Sequence, residues 1–408
     1  MIPGDRHASG GAVDRDGQRS CEVCGSLSSD LLHRQPFVLP GGRLVAYDVV
    51  SCANCGFTFA KNLPPPEALE AYYRENLKYL YEGSAFVPPS LEAVHRDSFT
   101  LVDSFLREHS PPFAGTSTRV LDIGCSTGVL LSLFRQAGYE HLLGLDPAPE
   151  CREVARRRHG IEVKTASLST FRADVSFDAV LLSSVLEHLV DLPRVVRSIA
   201  SFLREGGLLF VLVPDADRFG FELREPFLEF SIEHINYFSR PSLEGLLSPP
   251  GFTPVLVRSE VARVNQTSFP VLASLWIREG VHGKLPSRRS DVGPIRRYIE
   301  MSRERLAALE EALAPLVASG EEVVLWGAGS LASRLLATTS LARINVAGVV
   351  DNNSGLQGKT LLGRAIEPPA MLKGRRTTVV VASYVWGDEI RRTLVDDYRY
   401  EGRVVTLP

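Results

Sequence analysis

Residues Arg119–Leu131 read RVLDIGCSTGVLL, and the fold follows from them. Val120–Ile123 is a short apolar run with the character of a buried parallel strand. It stops at Gly124-Cys125-Ser126-Thr127-Gly128, and a second apolar run, Val129–Phe134, opens a helix directly afterwards. A strand that breaks at glycines and feeds a helix makes a ligand-binding turn, because no Cβ blocks a close approach to the backbone. The glycines frame G-x-x-x-G, so the G-x-G-x-x-G spacing of dinucleotide folds is absent. Asp122 lies at the strand end, and Asp146 ends the next apolar strand, His141–Leu145. That separation suits a carboxylate holding the ribose hydroxyls of a ligand laid across the strand ends. The plain alternative is an ordinary βα turn in some other α/β enzyme.

Outward from this turn, residues 118–215 alternate strand and helix. Strands are expected at Val120–Ile123, Leu142–Leu145, Ile161–Lys164, Ala179–Leu182 and Leu208–Val213, with helices at Val129–Ala137, Ala148–His159 and Leu192–Arg204. The pattern predicts a doubly wound parallel sheet with its ligand beyond the carboxyl ends of the strands. The fourth strand runs into Ser183-Ser184-Val185-Leu186-Glu187-His188-Leu189. His188 there is either a group poised to titrate near neutrality or a cap for the short segment before Leu192. Beyond the fifth strand, Phe230–Ser239 reads FSIEHINYFS. Glu233 and His234, flanked by aromatic residues, are what a shielded general base needs. The alternative is a hydrogen-bonded turn with Tyr237 and Phe238 in the core. The H-E-x-x-H spacing of metalloproteases is missing.

Upstream, Cys21-Glu-Val-Cys24 and Cys52-Ala-Asn-Cys55 are two C-x-x-C pairs, each followed by a glycine, Gly25 or Gly56. Two such knuckles complete a tetrahedron of thiolates, so residues 19–66 read as a small zinc ribbon, with strand-like stretches at Phe37–Leu39 and Leu44–Val50. Four cysteine ligands leave no open position, which makes the metal structural; a redox dithiol pair is the competing reading. Residues 1–18 are rich in Gly and charge and read as a disordered tail. Residues 67–117 read as a helical linker or lid. It holds a helix at Glu67–Asn76, a tyrosine-rich stretch and a helix at Leu91–His109. Tyr72, Tyr73, Tyr79 and Tyr81 either cover a pocket or simply pack.

Residues 118–289 form the expected main domain, and 290–319 a long polar connecting helix. Residues 320–408 read as a second, smaller α/β unit. Val323–Trp326, the turn Gly327-Ala328-Gly329-Ser330, the helix Leu331–Thr338, the strand Ile344–Val350 ending in Asp351-Asn352-Asn353, and Thr377–Ala382 repeat the strand–turn–helix theme. G-x-G alone is a weak signal, and half-folds often bind nothing.

The 408 residues suffice for two or three domains, and 44% hydrophobic with 23% charged residues is ordinary for a globular chain. A formal net charge of −3 gives no bulk electrostatic case for nucleic acid or an anionic membrane. No apolar run is long enough to span a bilayer and the N-terminus lacks a signal-peptide core. With cysteines paired for metal, the expected home is the cytoplasm.

LDIGCSTG with Asp122 and Asp146 resembles the class I S-adenosylmethionine (SAM)-dependent methyltransferases, whose first-strand motif is usually D-x-G-x-G-x-G. Ser126 stands at the usual middle glycine. The resemblance implies a Rossmann-like sheet with SAM as cosubstrate, contacted by Asp122, Gly124, Cys125, Ser126, Gly128, Asp146 and Ser184. The order zinc ribbon, SAM fold, long helix and small Rossmann-like unit resembles the sugar C-methyltransferases of antibiotic deoxysugar pathways. That resemblance covers nearly all of residues 19–408. Its carriers are CEVC, CANC, LDIGCSTG, SIEHINYF, and WGAGS with VVDNN and QGK.

The family implies a small-molecule substrate, a nucleotide-linked keto-sugar, with the C-terminal unit helping to hold the nucleotide. It implies no nucleic-acid or membrane partner. A histidine takes a proton from a carbon beside the ketone, and the enolate accepts the methyl group. His234 matches the family's base in its Y-H-E-H-x-x-Y-F stretch, with Glu233 its neighbour, His188 near a second family histidine and Tyr79 at the family's tyrosine. Ser231-Ile232 replaces Tyr-His, so stabilisation of the enolate oxygen needs a water or another donor. An O- or N-methyltransferase on a glycan or natural product, using the same histidine, is the alternative.

Overall fold

The computed structural model describes residues 19–38, 43–64, 89–109, 117–168, 170–264, 267–280 and 288–406. The expected tail, the helix at Glu67–Asn76 and all four tyrosines from Tyr72 to Tyr81 lie outside these residues. The chain opens with three antiparallel strands, β1 (Ser29–Val38), β2 (Leu44–Cys52) and β3 (Thr58–Lys61). β1 begins well before the expected Phe37. Its polar residues and Pro36 hide the strand pattern, and Pro36 is tolerated because β1 lies at the sheet edge.

The central unit follows: α1 (Pro89–His109), β4 (Arg119–Ile123), α2 (Val129–Gln136), β5 (His141–Asp146), α3 (Pro149–His159), β6 (Glu162–Thr165), β7 (Phe177–Ser183), α4 (Leu192–Phe202) and β8 (Leu203–Pro214). A short helix, α5 (Phe219–Glu222), leads to β9 (Asn236–Tyr237), then α6 (Arg240–Leu247) and the long hairpin β10 (Phe252–Val264) and β11 (Thr267–Arg278). The sheet order is β10-β11-β8-β7-β4-β5-β6, parallel from β8 to β6, with β11 antiparallel to both neighbours.

β4 is central and apolar on both faces, as a parallel strand under two helical layers must be. Leu121 and Ile123 join a core with Val196 and Ile199 of α4 and Leu243 of α6. Val120 joins another with Val102 and Leu106 of α1 and Leu130 and Phe134 of α2. From β4 the chain builds one way to β5 and β6, and the other way to β7 and β8. The strand order reverses between β4 and β7, and the crevice beyond the carboxyl ends at such a switch point is where α/β sheets bind ligands. The sheet is the Rossmann-like fold of class I methyltransferases, as the turn predicted. The pairing of β10 and β11 onto β8 was not foreseen.

β9 leaves the central unit and pairs with β3, completing a four-stranded sheet ordered β1-β2-β3-β9. The segment carrying His234 is thus tied to the cysteine unit. The helix α7 (Gly293–Ser319) serves two cores. Ile295, Tyr298 and Ile299 pack with Phe219, Phe227 and Phe230, while Leu309, Leu313 and Leu316 pack into the last unit. There β12 (Val323–Trp326), α8 (Ser330–Thr338), β13 (Val346–Val350), β14 (Thr360–Leu361), β15 (Arg364–Glu367), β16 (Thr378–Val381), α9 (Gly387–Arg392) and β17 (Val404–Thr406) form a sheet ordered β14-β15-β13-β12-β16-β17. α8 packs on β1, where Ser333 Oγ donates to the Val38 carbonyl at 2.6 Å, and a buried Arg334–Glu225 ion pair lies nearby in the chain. Among the described residues, no helix is long and apolar enough to cross a membrane.

Candidate active site

The turn after β4 curls through three residues with positive φ: Gly124 at 72°, Ser126 at 47° and Gly128 at 79°. Gly124 and Cys125 donate their N–H groups to the Leu145 carbonyl, at 2.7 and 3.2 Å. Asp146 then fixes the turn, one carboxylate oxygen accepting Ser126 N–H and the other Ala148 N–H, both at 2.9 Å. The bond to Ser126 offsets the cost, about 1–2 kcal/mol, of a side chain in the left-handed region. Beside these bonds and the Cys151 thiol contact, the carboxylate keeps acceptor capacity for a ligand hydroxyl. Asp122 is 3% exposed, and burial, then the neighbouring Asp146 charge, pushes its carboxyl up to about 8. Two carboxylates at adjacent strand ends call for ligand donors, such as hydroxyl or ammonium groups. Cys125 turns its thiol into the core, against Gly144, where a Cβ would stand 2.5 Å from Sγ. Only its backbone faces the turn's outer side.

The turn after β7 meets this one. A Cβ on Gly124 would come within 2.6 Å of Val185 Cγ2. Ser184 itself has φ 57° and is exposed, with its N–H bonded to the Leu212 carbonyl at 2.8 Å. Next along this turn come Glu187 and His188, and the stretch 231–235 crosses over them. Ile235 N–H donates to the Glu187 carbonyl at 2.8 Å, and His188 Nδ1 lies 3.0 Å from the Glu233 carbonyl. The rings of His188 and His234 meet edge to face with centroids 4.8 Å apart. Two histidines separated by 46 positions in sequence are thus brought together at the crevice.

His234 Nδ1 sits 2.8 Å from Glu229 Oε2, and the imidazole is 23% exposed. Burial opposes its protonation, but the Glu229 contact and the charges of Glu187 and Glu233 outweigh burial and raise its pKa. Glu229 joins this candidate cluster from outside the sequence motifs. It stands five positions before His234, at no recognisable spacing, and only the turn closed by Ser231 brings it round. Ser231 Oγ accepts the N–H groups of Glu233 and His234, at 3.3 and 3.1 Å, and the Ser231 carbonyl accepts Tyr47 O–H at 2.8 Å. Glu187 is 1% exposed, and burial pushes its carboxyl up to about 7. Tyr79 lies outside the described residues.

Beneath this cluster lies a buried polar clamp. Asn236 Nδ2 donates to the carbonyls of Leu186 and Leu189, at 2.9 and 2.7 Å, and its Oδ1 accepts from Arg19 Nη2 at 2.8 Å. Arg19 pairs with Glu22 at 2.8 Å, and the other Glu22 oxygen accepts the N–H of Leu192, at the start of α4, at 2.7 Å. One network joins the first cysteine knuckle, the turn after β7 and the His234 segment.

The four cysteines converge, with Cys21 Sγ and Cys55 Sγ 3.5 Å apart and Cys24 Sγ and Cys52 Sγ also 3.5 Å apart. All four ligand atoms lie within 4.8 Å of one another. A disulfide needs about 2.05 Å. Zn–S bonds of about 2.3 Å place tetrahedral sulfurs about 3.8 Å apart, which the observed spacing fits. The two knuckles repeat: Gly25 N–H bonds to the Cys21 carbonyl and Gly56 N–H to the Cys52 carbonyl, with both glycines at positive φ.

The last sheet repeats the first turn. Asp351, just after β13, accepts Ala328 N–H at 2.7 Å and Asn353 N–H at 2.8 Å, as Asp146 accepts Ser126 and Ala148.

Residues 94–257 match the family model described as a methyltransferase domain, and residues 319–405 match one described as C2185-like, N-terminal. The C-methyltransferase NovU of Streptomyces niveus is 28% identical over 346 residues, 80% of this chain and 76% of its own. A ubiquinone biosynthesis O-methyltransferase of Methylocella silvestris is 33% identical over 115 residues, 27% of this chain and 44% of its own. Among solved structures, 1,6-didemethyltoxoflavin-N1-methyltransferase of Burkholderia thailandensis aligns with TM-score 0.40 and 20% identity, over 60% of this chain and 99% of that one. The methyltransferase-domain match contains the glycine turn, both strand-end carboxylates and both histidines, and the NovU similarity extends over most of the remaining chain. The chain is an S-adenosylmethionine-dependent methyltransferase.

Proposed function

We propose that this methyltransferase methylates a carbon beside the ketone of a nucleotide-linked deoxysugar, with His234 removing the proton from that carbon. The observation that supports it most is the pairing of His234 with Glu229 in front of the β4–β7 crevice. The carboxylate holds Nδ1 protonated, so that Nε2 carries the basic lone pair. Bound SAM supplies an electrophilic methyl group on a sulfonium. Asp122, Asp146 and the backbone of Gly124, Ser126 and Gly128 are the residues to hold it, with Ser184 at the crevice edge. Glu233 lines the same turn, and His188 is assigned the place beside the developing enolate oxygen, where its protonated imidazole can donate from Nε2. Similarity to NovU, a C-methyltransferase, supports a carbon acceptor. The four cysteines are assigned a structural zinc ion, and the C-terminal unit a share in holding the nucleotide.

A second reading, O-methylation, draws on Ser231. Its hydroxyl caps the backbone of Glu233 and His234 and so leaves the enolate oxygen without the family's tyrosine donor. His234 would then deprotonate a hydroxyl. His234→Asn tests the base in either reading: turnover is expected to vanish while SAM affinity stays. A variant with wild-type turnover refutes the assignment. Calorimetry with thymidine and uridine diphosphates tests the nucleotide handle, since binding of neither removes the nucleotide-sugar reading.

A further inference from the structure

The charge of Glu187 supports protonation of His234, but that does not account for the burial of Glu187. This side chain is 1% exposed, and among the described residues neither carboxylate oxygen has a hydrogen-bond partner on another residue. A buried carboxylate with no donor costs several kcal/mol, and native structures keep few such groups without a reason. His188 stands beside it, with Nε2 3.9 Å from Glu187 Oε1, and His234 is a second charge neighbour. One ligand atom from each of Glu187, His188 and His234 falls within a 4.8 Å span.

The two imidazoles are oriented as metal-binding histidines are. Ligating histidines characteristically give their other ring nitrogen to a carbonyl or carboxylate, which fixes tautomer and ring plane. His188 Nδ1 is engaged by the Glu233 carbonyl at 3.0 Å, and His234 Nδ1 by the Glu229 carboxylate at 2.8 Å. The Nε2 atoms are then the ones to ligate, and that of His188 already faces Glu187 Oε1 at 3.9 Å. The backbone already holds the trio together, through Ile235 N–H on the Glu187 carbonyl and Asn236 on Leu186 and Leu189.

We propose that Glu187, His188 and His234 form a binding site for one divalent first-row transition ion, separate from the four-cysteine cluster. Two imidazoles and one carboxylate suit Mn, Fe, Co, Ni or Zn. With metal–ligand distances near 2.1 Å, tetrahedral neighbours stand about 3.4 Å apart, so rotamer adjustments of about 1 Å close the site. The ion neutralises Glu187 and takes the His234 lone pair that the proposed reaction needs. Occupancy therefore blocks proton removal. That inhibition rests on the proposed role of His234, whereas binding of the ion does not.

Mn2+ is the probe, because it favours a carboxylate over thiolates and leaves zinc on its cysteines. Titration of the zinc-loaded protein, with free Mn2+ counted by electron paramagnetic resonance, is expected to show one bound ion per chain. Glu187→Gln and His188→Asn should each weaken binding at least about tenfold, with zinc content and SAM affinity retained as evidence of folding. No bound Mn2+ in the wild type, or wild-type binding in both variants, overturns the proposal. If the ion binds at these residues and turnover persists, the site stands and His234 is not the base.

Discussion

Asn236→Ala is the most informative single change away from the reacting groups. The side chain is 2% exposed and makes three hydrogen bonds, two to the carbonyls of Leu186 and Leu189 and one from Arg19. At about 1 kcal/mol each these sum to about 3 kcal/mol, and the stripped carbonyls have no water to turn to. The loss falls on the turn that presents Glu187 and His188, which Asn236 holds together with Ile235 N–H, the His188–Glu233 contact and the Glu22 bond to Leu192 N–H. Local opening there should become easier by the same 3 kcal/mol, which is about 150-fold in the opening equilibrium. Hydrogen exchange by mass spectrometry, on a peptide spanning residues 186–192, should quicken by one to two orders of magnitude, while a β4 peptide stays protected. Turnover should fall with it, because His188 and His234 lose their fixed separation. Unchanged exchange over residues 186–192 refutes the clamp, whatever the turnover.

Gly124→Ala combines a positive φ of 72° with a Cβ 2.6 Å from Val185, and should weaken SAM binding at least about tenfold by calorimetry. Val185→Ala in the same chain should restore part of the loss by removing the clashing methyl group. Arg19→Met leaves Glu22 as an uncompensated buried charge, and should cost about 3–5 kcal/mol of the stability of this unit in urea denaturation. Cys52→Ser should lower bound zinc from one ion per chain, read by elemental analysis, because the tetrahedron loses a thiolate; full zinc content would reject the ligand assignment.

The central sheet was legible because its strands are buried on both faces and read as unbroken apolar runs ending at glycines or acids. The predicted Val120–Ile123 and Val323–Trp326 fall within one residue of β4 and β12. β1 was obscured by its polar residues and Pro36, and β10 and β11 by Pro254 and Pro270 within otherwise alternating strands. Leu203 and Arg204, read as the end of a helix, begin β8 instead, since the following Gly206 and Gly207 favour a helix end.

The histidines stood out in sequence because few side chains titrate near neutrality. Their partners did not. Arg19 and Asn236 act through hydrogen bonds that cross more than 200 residues, and Glu229 meets His234 at a five-residue separation that matches no motif, so no spacing rule connects these positions.

The most direct test of the account follows the hydrogen on the accepting carbon. A nucleotide-linked keto-sugar deuterated beside its ketone is incubated with SAM and enzyme, and the product is weighed by mass spectrometry before and after acid hydrolysis of the sugar. The account predicts one deuterium lost for each methyl gained and a methyl group that survives hydrolysis, both abolished by His234→Asn. A methylated product that keeps its deuterium would contradict the carbon nucleophile and establish transfer to a heteroatom.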